Sequence, residues 1–162
     1  MTTGLAPVFD GVRKEVTMGR YTLTRRIPAP AEQVYRAFTE PAMVADWMDM
    51  KEVRDVTGPL DAVGSSLLLV VEGPWKFRTR IERAERPRVH VMSGKAPLGG
   101  AFRNTAVLTP IDSGTDLSLT TEYTVPLGPI GRLLDRLFID KEPRTIANRE
   151  LDRLVAIVSN PQ

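Results

Sequence analysis

Residues 129–158 constrain this chain more than any other stretch. They read PIGRLLDRLFIDKEPRTIANRELDRLVAIV. Pro129 suits a first helical position, where the missing N–H would be unpaired in any case. Gly128 and Pro126 just before it break the preceding strand pattern. Apolar residues recur at Ile130, Leu133, Leu134, Leu137 and Phe138 and resume at Ala147, Leu151, Leu154, Val155 and Val158, which is the spacing of one helical face. A helix of about 30 residues would run roughly 45 Å, so it must lie across something large. Its middle departs from that pattern. Lys141, Arg144 and Asn148 project to the same side as Ile130, Leu134 and Leu137, and Pro143 removes an intrahelical hydrogen bond. Either Pro143 starts a second helix and turns these polar groups to solvent, or they line a cavity beneath a kinked helix.

What such a helix covers is set by the strands before it. The segment Arg20 to Ile27 alternates Tyr21, Leu23, Arg25 and Ile27 against Arg20, Thr22, Thr24 and Arg26, a half-buried strand. Pro28-Ala29-Pro30 ends it. Ala31 to Phe38 and Ala42 to Met50 then read as two short helices separated by Thr39-Glu40-Pro41. Six strands follow: Val53–Thr57, Ser66–Glu72, Trp75–Glu82, Val89–Ser93, Ala101–Thr109 and Thr115–Val125. Gly58-Pro59, Gly64 and Gly73-Pro74 mark turns, and a strand rather than a helix follows the first of them, which rules against a phosphate-binding loop. The last strand is the cleanest, with Leu117, Leu119, Thr121, Tyr123 and Val125 on one face.

Strands joined by short turns are antiparallel, and their apolar face needs a cover. The predicted fold is therefore α+β: a curved seven-stranded antiparallel sheet wrapped around a long C-terminal helix, with two short helices after the first strand. A gap between sheet and helix makes a ready ligand cavity. The 162 residues amount to one domain over residues 20–160, preceded by a partly flexible extension over residues 1–19.

Composition narrows the function classes. A net charge of +2 gives no field that points to nucleic acid. With no Cys and one His, disulfides, thiolate metal sites and multi-histidine sites are excluded, and no cofactor is expected. No signal peptide or membrane-spanning run is evident in the sequence, so a cytoplasmic protein is expected.

The order of elements, the opening RRIPAPAEQVYRAFTEPAMVADWMD, the hairpin from Pro110 to Thr115 with Ser113-Gly114, and the VPLGPIGRLLDRL lead into the last helix resemble the SRPBCC (START-like, helix-grip) superfamily, in particular its polyketide cyclase/dehydrase and lipid-transport branch. The resemblance covers about residues 20–158. It implies a hydrophobic tunnel between sheet and helix and ligands such as lipids, steroids, isoprenoids or polyketides. It also implies three functional hypotheses: a cofactor-independent cyclase or dehydratase, a non-catalytic carrier of a lipid, quinone or isoprenoid, and a protein-binding module that assists a chaperone, a branch similar in its FTEPAMVADWM segment. No catalytic motif of the superfamily transfers residue by residue.

Candidate site residues follow from strand phase. His90 either faces solvent, if Val89 and Val91 point inward, or lines the cavity as a general acid or base, if Met92 marks the inner face. Tyr123 shares the inner face of the last strand and needs a partner for its hydroxyl, either ligand or backbone. Asn104 shares a phase with Phe102, Ala106 and Leu108 and would orient a polar ligand atom. Trp47, Trp75, Phe77 and Phe102 offer flat apolar wall, with Leu134 and Asn148 on the inward side of the long helix. Lys141 and Arg144 would hold a carboxylate or an enolate, or else stand in solvent at the kink. Tyr123, Arg144 and His90 are the catalytic candidates. The arginines at 78, 80, 83, 86 and 88 are interleaved with Glu82 and Glu85 and read as a solvated convex face. The expected partner is a hydrophobic small molecule, not nucleic acid, with membrane contact at most transient and a monomer or homodimer as the assembly.

Overall fold

Proline placement sets the first third of the fold. A computed structural model describes residues 16–95, 99–126 and 143–160. Strand β1 runs Val16–Ile27 and stops ahead of Pro28. Helix α1, Ala31–Thr39, follows Pro30, whose angles are extended (φ −60°, ψ 149°). Helix α2, Pro41–Trp47, has its proline in the first turn. A residue that precedes proline is pushed out of the helical region, and Glu40 is extended (φ −95°, ψ 117°). That one residue ends α1 and starts α2. Helix α2 stops at Trp47 rather than running to Met50 as the spacing predicts, because Asp49 turns left-handed with φ 55°.

The remaining strands are β2, Glu52–Arg54; β3, Ser66–Val70; β4, Lys76–Glu85; β5, Val89–Lys95; β6, Ala101–Ile111; and β7, Gly114–Pro126. They form one curved, open sheet of seven strands in the order β1-β7-β6-β5-β4-β3-β2, antiparallel at every pairing. This is the predicted architecture, with adjusted ends. β1 begins four residues before Arg20, because β7 extends far enough for Val16 to pair with Pro126. β2 ends at Arg54 instead of Thr57, since Asp55 takes φ 53° and leaves the ladder. β4 continues past Glu82 through a bulge between Ile81 and Arg83, which lets a strand bend without ending. Gly114, at φ 144°, closes the β6–β7 hairpin.

The C-terminal helix, α3, spans Pro143–Ser159, about 25 Å of helix. Ala147, Leu151, Leu154 and Val158 are buried, as their spacing predicts. Leu151, Leu154 and Val158 pack with Val34 and Phe38 of α1, Trp47 of α2, and Leu69, Ile81, Leu108 and Leu117 of the sheet in one apolar core. Full burial of a Leu or Phe contributes about 1.5–3 kcal/mol, so the seam between sheet and helices supplies most of the cohesion. Gln33 Nε2 donates to the Val158 carbonyl at 2.6 Å and ties α1 to the end of α3. The stretch before Pro143 that was read as the first half of the long helix, with Leu134 and Lys141, lies outside the described residues.

Candidate ligand-binding site

Between the inner face of the sheet, α2 and α3 lies a cavity of about 370 Å³, within the size range of small-molecule sites. Its apolar wall comes from Trp47, Leu69, Phe77, Phe102 and Leu119. Each is there for a local reason. Trp47 is the last residue of α2, and its Nε1 donates to the Ala37 carbonyl at 2.8 Å. The Ala37 carbonyl is one of the last four of α1, which have no partner within that helix, so the indole caps one helix while forming the wall of the cavity. Phe77 of β4 and Phe102 of β6 meet edge to face, with ring centroids 6.0 Å apart. They reach each other across β5 because that strand carries Gly94, opposite Phe102 in the ladder. A Cβ on Gly94 would stand 2.6 Å from the Phe102 ring.

Polar side chains share this wall: Tyr21, Asn104, Thr121, Tyr123 and Glu150. Thr121 Oγ1 donates to Asn104 Oδ1 at 2.9 Å across the β6–β7 ladder, which leaves the Asn104 Nδ2 hydrogens as donors. Tyr21 stands opposite Thr121 in the β1–β7 ladder, and its ring lies 6.2 Å from that of Tyr123. Burial pushes the Tyr21 hydroxyl pKa up, against the opposing effect of Thr121, and the nearby Glu150 carboxylate adds to the rise. Glu150 enters from α3. Burial pushes its carboxyl pKa up to about 7, with Arg153 opposing and Asp49 adding to the shift. Arg153 is itself paired with Asp49 at 3.4 Å.

Glu150 also belongs to a second, charged groove of about 590 Å³ outside the cavity, lined by Asp49, Lys51, Glu72, Arg149 and Arg153 among others. Met48, Met50, Ile146 and Glu150 line both spaces and form the seam between them. Ile146 is 39% exposed at that seam.

Five of the residues singled out from the sequence meet in the cavity: Trp47, Phe77, Phe102, Asn104 and Tyr123. Four others are not brought there. Trp75 is half-buried in the turn ahead of β4. His90 faces inward and is buried, but against α1: its ring packs on Tyr35 and Phe38, and its Nε2 donates to the Leu60 carbonyl at 2.8 Å. Arg144 is exposed in the first turn of α3. Asn148 is turned toward β1, where its Oδ1 accepts from Arg25 Nη2 at 2.7 Å. The arginines at 78, 80, 83, 86 and 88 are exposed, as expected; Arg83 pairs with Glu85, and Arg86 with Glu32 and Asp61.

Among the wall residues that the sequence does not single out are Tyr21, Thr121 and Glu150. Tyr21 and Thr121 stand in phase with the apolar faces of their strands. Glu150 stands three residues after Ala147 and four before Leu154, on the buried stripe of α3. Among the described residues no group of three or more His, Cys, Asp or Glu could hold a metal ion, and no helix is long and apolar enough to cross a membrane.

A seven-stranded sheet gripping a C-terminal helix over an apolar cavity defines a helix-grip protein. The chain belongs to the family described as polyketide cyclase/dehydrase and lipid transport, whose model matches residues 18–159. No curated protein matches it significantly by sequence. Among solved structures it is similar to a protein of Chromobacterium violaceum, at 22% identity and TM-score 0.63, covering 87% of this chain and 98% of that one. It is similar to truncated norcoclaurine synthase from Thalictrum flavum, at 13% identity and TM-score 0.65, covering 93% and 99%. A Staphylococcus aureus protein of unknown function aligns at 11% identity and TM-score 0.70, covering 89% and 95%. At these identities the likeness is one of fold.

Proposed function

We propose that this protein holds an apolar, partly flat small molecule in the cavity between sheet and helix, and that it is a cofactor-independent cyclase or dehydratase acting on that molecule. The observation that carries the reading is the uneven lining. Aromatic and aliphatic side chains cover most of the wall, while Tyr21, Asn104, Thr121, Tyr123 and Glu150 are polar members of it, Asn104 and Thr121 joined by a hydrogen bond. Such a wall fixes both the conformation and the direction of a flexible substrate, and conformational restriction alone lowers a cyclisation barrier substantially. The Asn104 amide and the Tyr123 hydroxyl are donors for a substrate carbonyl, where charge develops as a neighbouring C–H is lost. Glu150, with a pKa of about 7, accepts a proton and returns it at neutral pH. His90 and Arg144 have no part in this proposal, because neither lines the cavity.

The test is denaturing extraction and mass spectrometry of protein purified from its host, beside the variant Leu119→Trp. Leu119 is buried on the cavity wall, so an indole there fills the space a ligand would take. A stoichiometric apolar compound present in the wild type and absent from L119W supports the reading. Turnover of that compound, lowered by Tyr123→Phe, separates a catalyst from a carrier. An empty protein whose melting temperature is unmoved by lipids, quinones and polyketides overturns it in favour of a protein-binding module.

A further inference from the structure

We propose that the ligand carries a protonated amine, held against the Glu150 carboxylate and the aromatic rings of the cavity. The inference rests on the cavity being the binding site and deepens that reading by naming a substrate class.

Two observations meet here. Glu150 is the only charged side chain among the described residues that line the cavity; no Lys, Arg or His joins it there. The cations nearby stand on the outer side of Glu150, in the groove it also lines, and Arg153 acts on its carboxylate from there. Arg153 pairs with Asp49, Arg25 with Asp152 and Asn148, and Lys51 and Arg149 line the outer groove. A carboxylate withdrawn from water is costly unless a cation or hydrogen-bond donors meet it. The second observation is the aromatic content of the same wall: Tyr21, Trp47, Phe77, Phe102 and Tyr123. Ring faces carry partial negative charge and attract cations, most strongly where water is excluded. Tyr21 and Glu150 line the same cavity, so carboxylate and ring act on one region.

A ligand ammonium is favoured by both features. A neutral ligand gains the apolar contact and the donors of Asn104 and Tyr123 but no charge pairing with Glu150. An anion is repelled by carboxylate and rings alike.

The preference is pH-dependent with a definite sign. The groups facing Glu150 among the described residues are Tyr21 from β1, Tyr123 from β7, Asp49 and Lys51 from the α2–β2 connection, Glu72 from the β3–β4 turn, and Arg149 and Arg153 from α3 itself. Glu150 titrates near neutrality, about 7, and an alkylamine stays protonated there. The ionised fraction of Glu150 therefore rises from about a tenth at pH 6 to about nine-tenths at pH 8, and amine binding should follow it.

The experiment is calorimetric titration of the whole protein with naphthylmethylamine, naphthylmethanol and naphthoic acid, which share one flat body and differ in charge. The amine is expected to bind roughly tenfold more tightly than the alcohol at about pH 8, with the acid weakest. That ratio should shrink several-fold by about pH 6 and by at least as much in Glu150→Gln, where only the ring faces still favour the cation. An alcohol that binds as well as the amine at about pH 8, or a ratio that does not change with pH, overturns the proposal; the wild-type pH series decides this even where E150Q fails to fold. The underlying cavity reading fails differently: no probe binds, or L119W binds the alcohol as well as the wild type does.

Discussion

The ring of Tyr123 lies across Gly19 on the neighbouring strand: a Cβ on that glycine would stand 2.2 Å from the ring Cζ and 2.4 Å from the hydroxyl oxygen. The two residues are direct partners in the β1–β7 ladder. The same device recurs where Phe102 lies over Gly94, so two glycines set the depth of two aromatic walls. Gly19→Ala is expected to displace the Tyr123 ring. The atoms in the way are the far end of a side chain, so the fold should survive with a melting temperature near wild type, while affinity for a cavity-binding naphthalene probe falls about tenfold. Gly94→Ala also drives its Cβ to 2.7 Å from the Arg78 carbonyl oxygen, which is backbone. It should lose affinity and about 1–3 kcal/mol of stability together. Probe titration beside denaturant unfolding distinguishes the two outcomes.

Trp47 joins α1 to the cavity wall through its bond to the Ala37 carbonyl. Trp47→Phe keeps the apolar contact with Phe38, now 5.4 Å between centroids, but removes the donor. A buried hydrogen bond lost with its acceptor left in place costs about 1–3 kcal/mol. Urea unfolding of W47F, followed by far-UV circular dichroism, should show a lower midpoint with an unchanged slope.

His90 predicts acid sensitivity. Burial depresses its pKa below the ordinary 6.5, against the opposing effects of the Leu60 carbonyl and the Asp61 charge. The unfolded chain then binds a proton that the folded chain resists, so stability falls as pH drops below about 6.5 and continues to fall until the folded pKa is reached. Denaturant midpoints measured at stepped pH should show this decline, and His90→Asn should flatten it.

Glu150 predicts the opposite slope. Its folded pKa of about 7 lies above the ordinary 4.5, so the folded chain holds a proton that the unfolded chain releases. Its contribution to stability is fully present below about 4.5 and is lost as pH rises to about 7. Glu150→Gln should gain stability relative to wild type above about pH 7 and little at about pH 4.5. In that variant the His90 slope should stand out more steeply between these limits.

Much of the fold was legible because period-two and helical spacing survive in long elements. Leu117, Leu119, Thr121 and Tyr123 fix the phase of β7 over many residues, and Tyr123 and Asn104 were placed on the inner face by that alternation. His90 shows where the signal fails. Val89 to Met92 is too short an alternation to fix its own phase, and no local pattern says that the inward side of β5 meets α1 at that point rather than the cavity. Asn148 was read as facing inward with the apolar stripe, yet a single charged partner on β1, Arg25, draws it aside. Glu150 was passed over for the converse reason: an acidic residue in a charge-rich helix reads as solvated, and its burial depends on what α2 and β1 bring against it. Element ends were misread wherever a non-glycine residue with positive φ, Asp49 or Asp55, ends a helix or strand that composition would continue.

The pairing of β1 with β7 has a consequence for how the chain is made. β1 stands at one end of the open sheet, and β7 is its partner along its whole length, from Val16 with Pro126 to Ile27 with Thr115. β1 must therefore wait about a hundred residues for its neighbour, whereas β2 through β6 each meet the next strand as it emerges. Contacts so distant in sequence close late and slowly. Nascent β1 thus spends most of synthesis as an unpaired edge beside a growing sheet, and the wall that carries Tyr21 opposite Tyr123 is completed only when the last strand is in place.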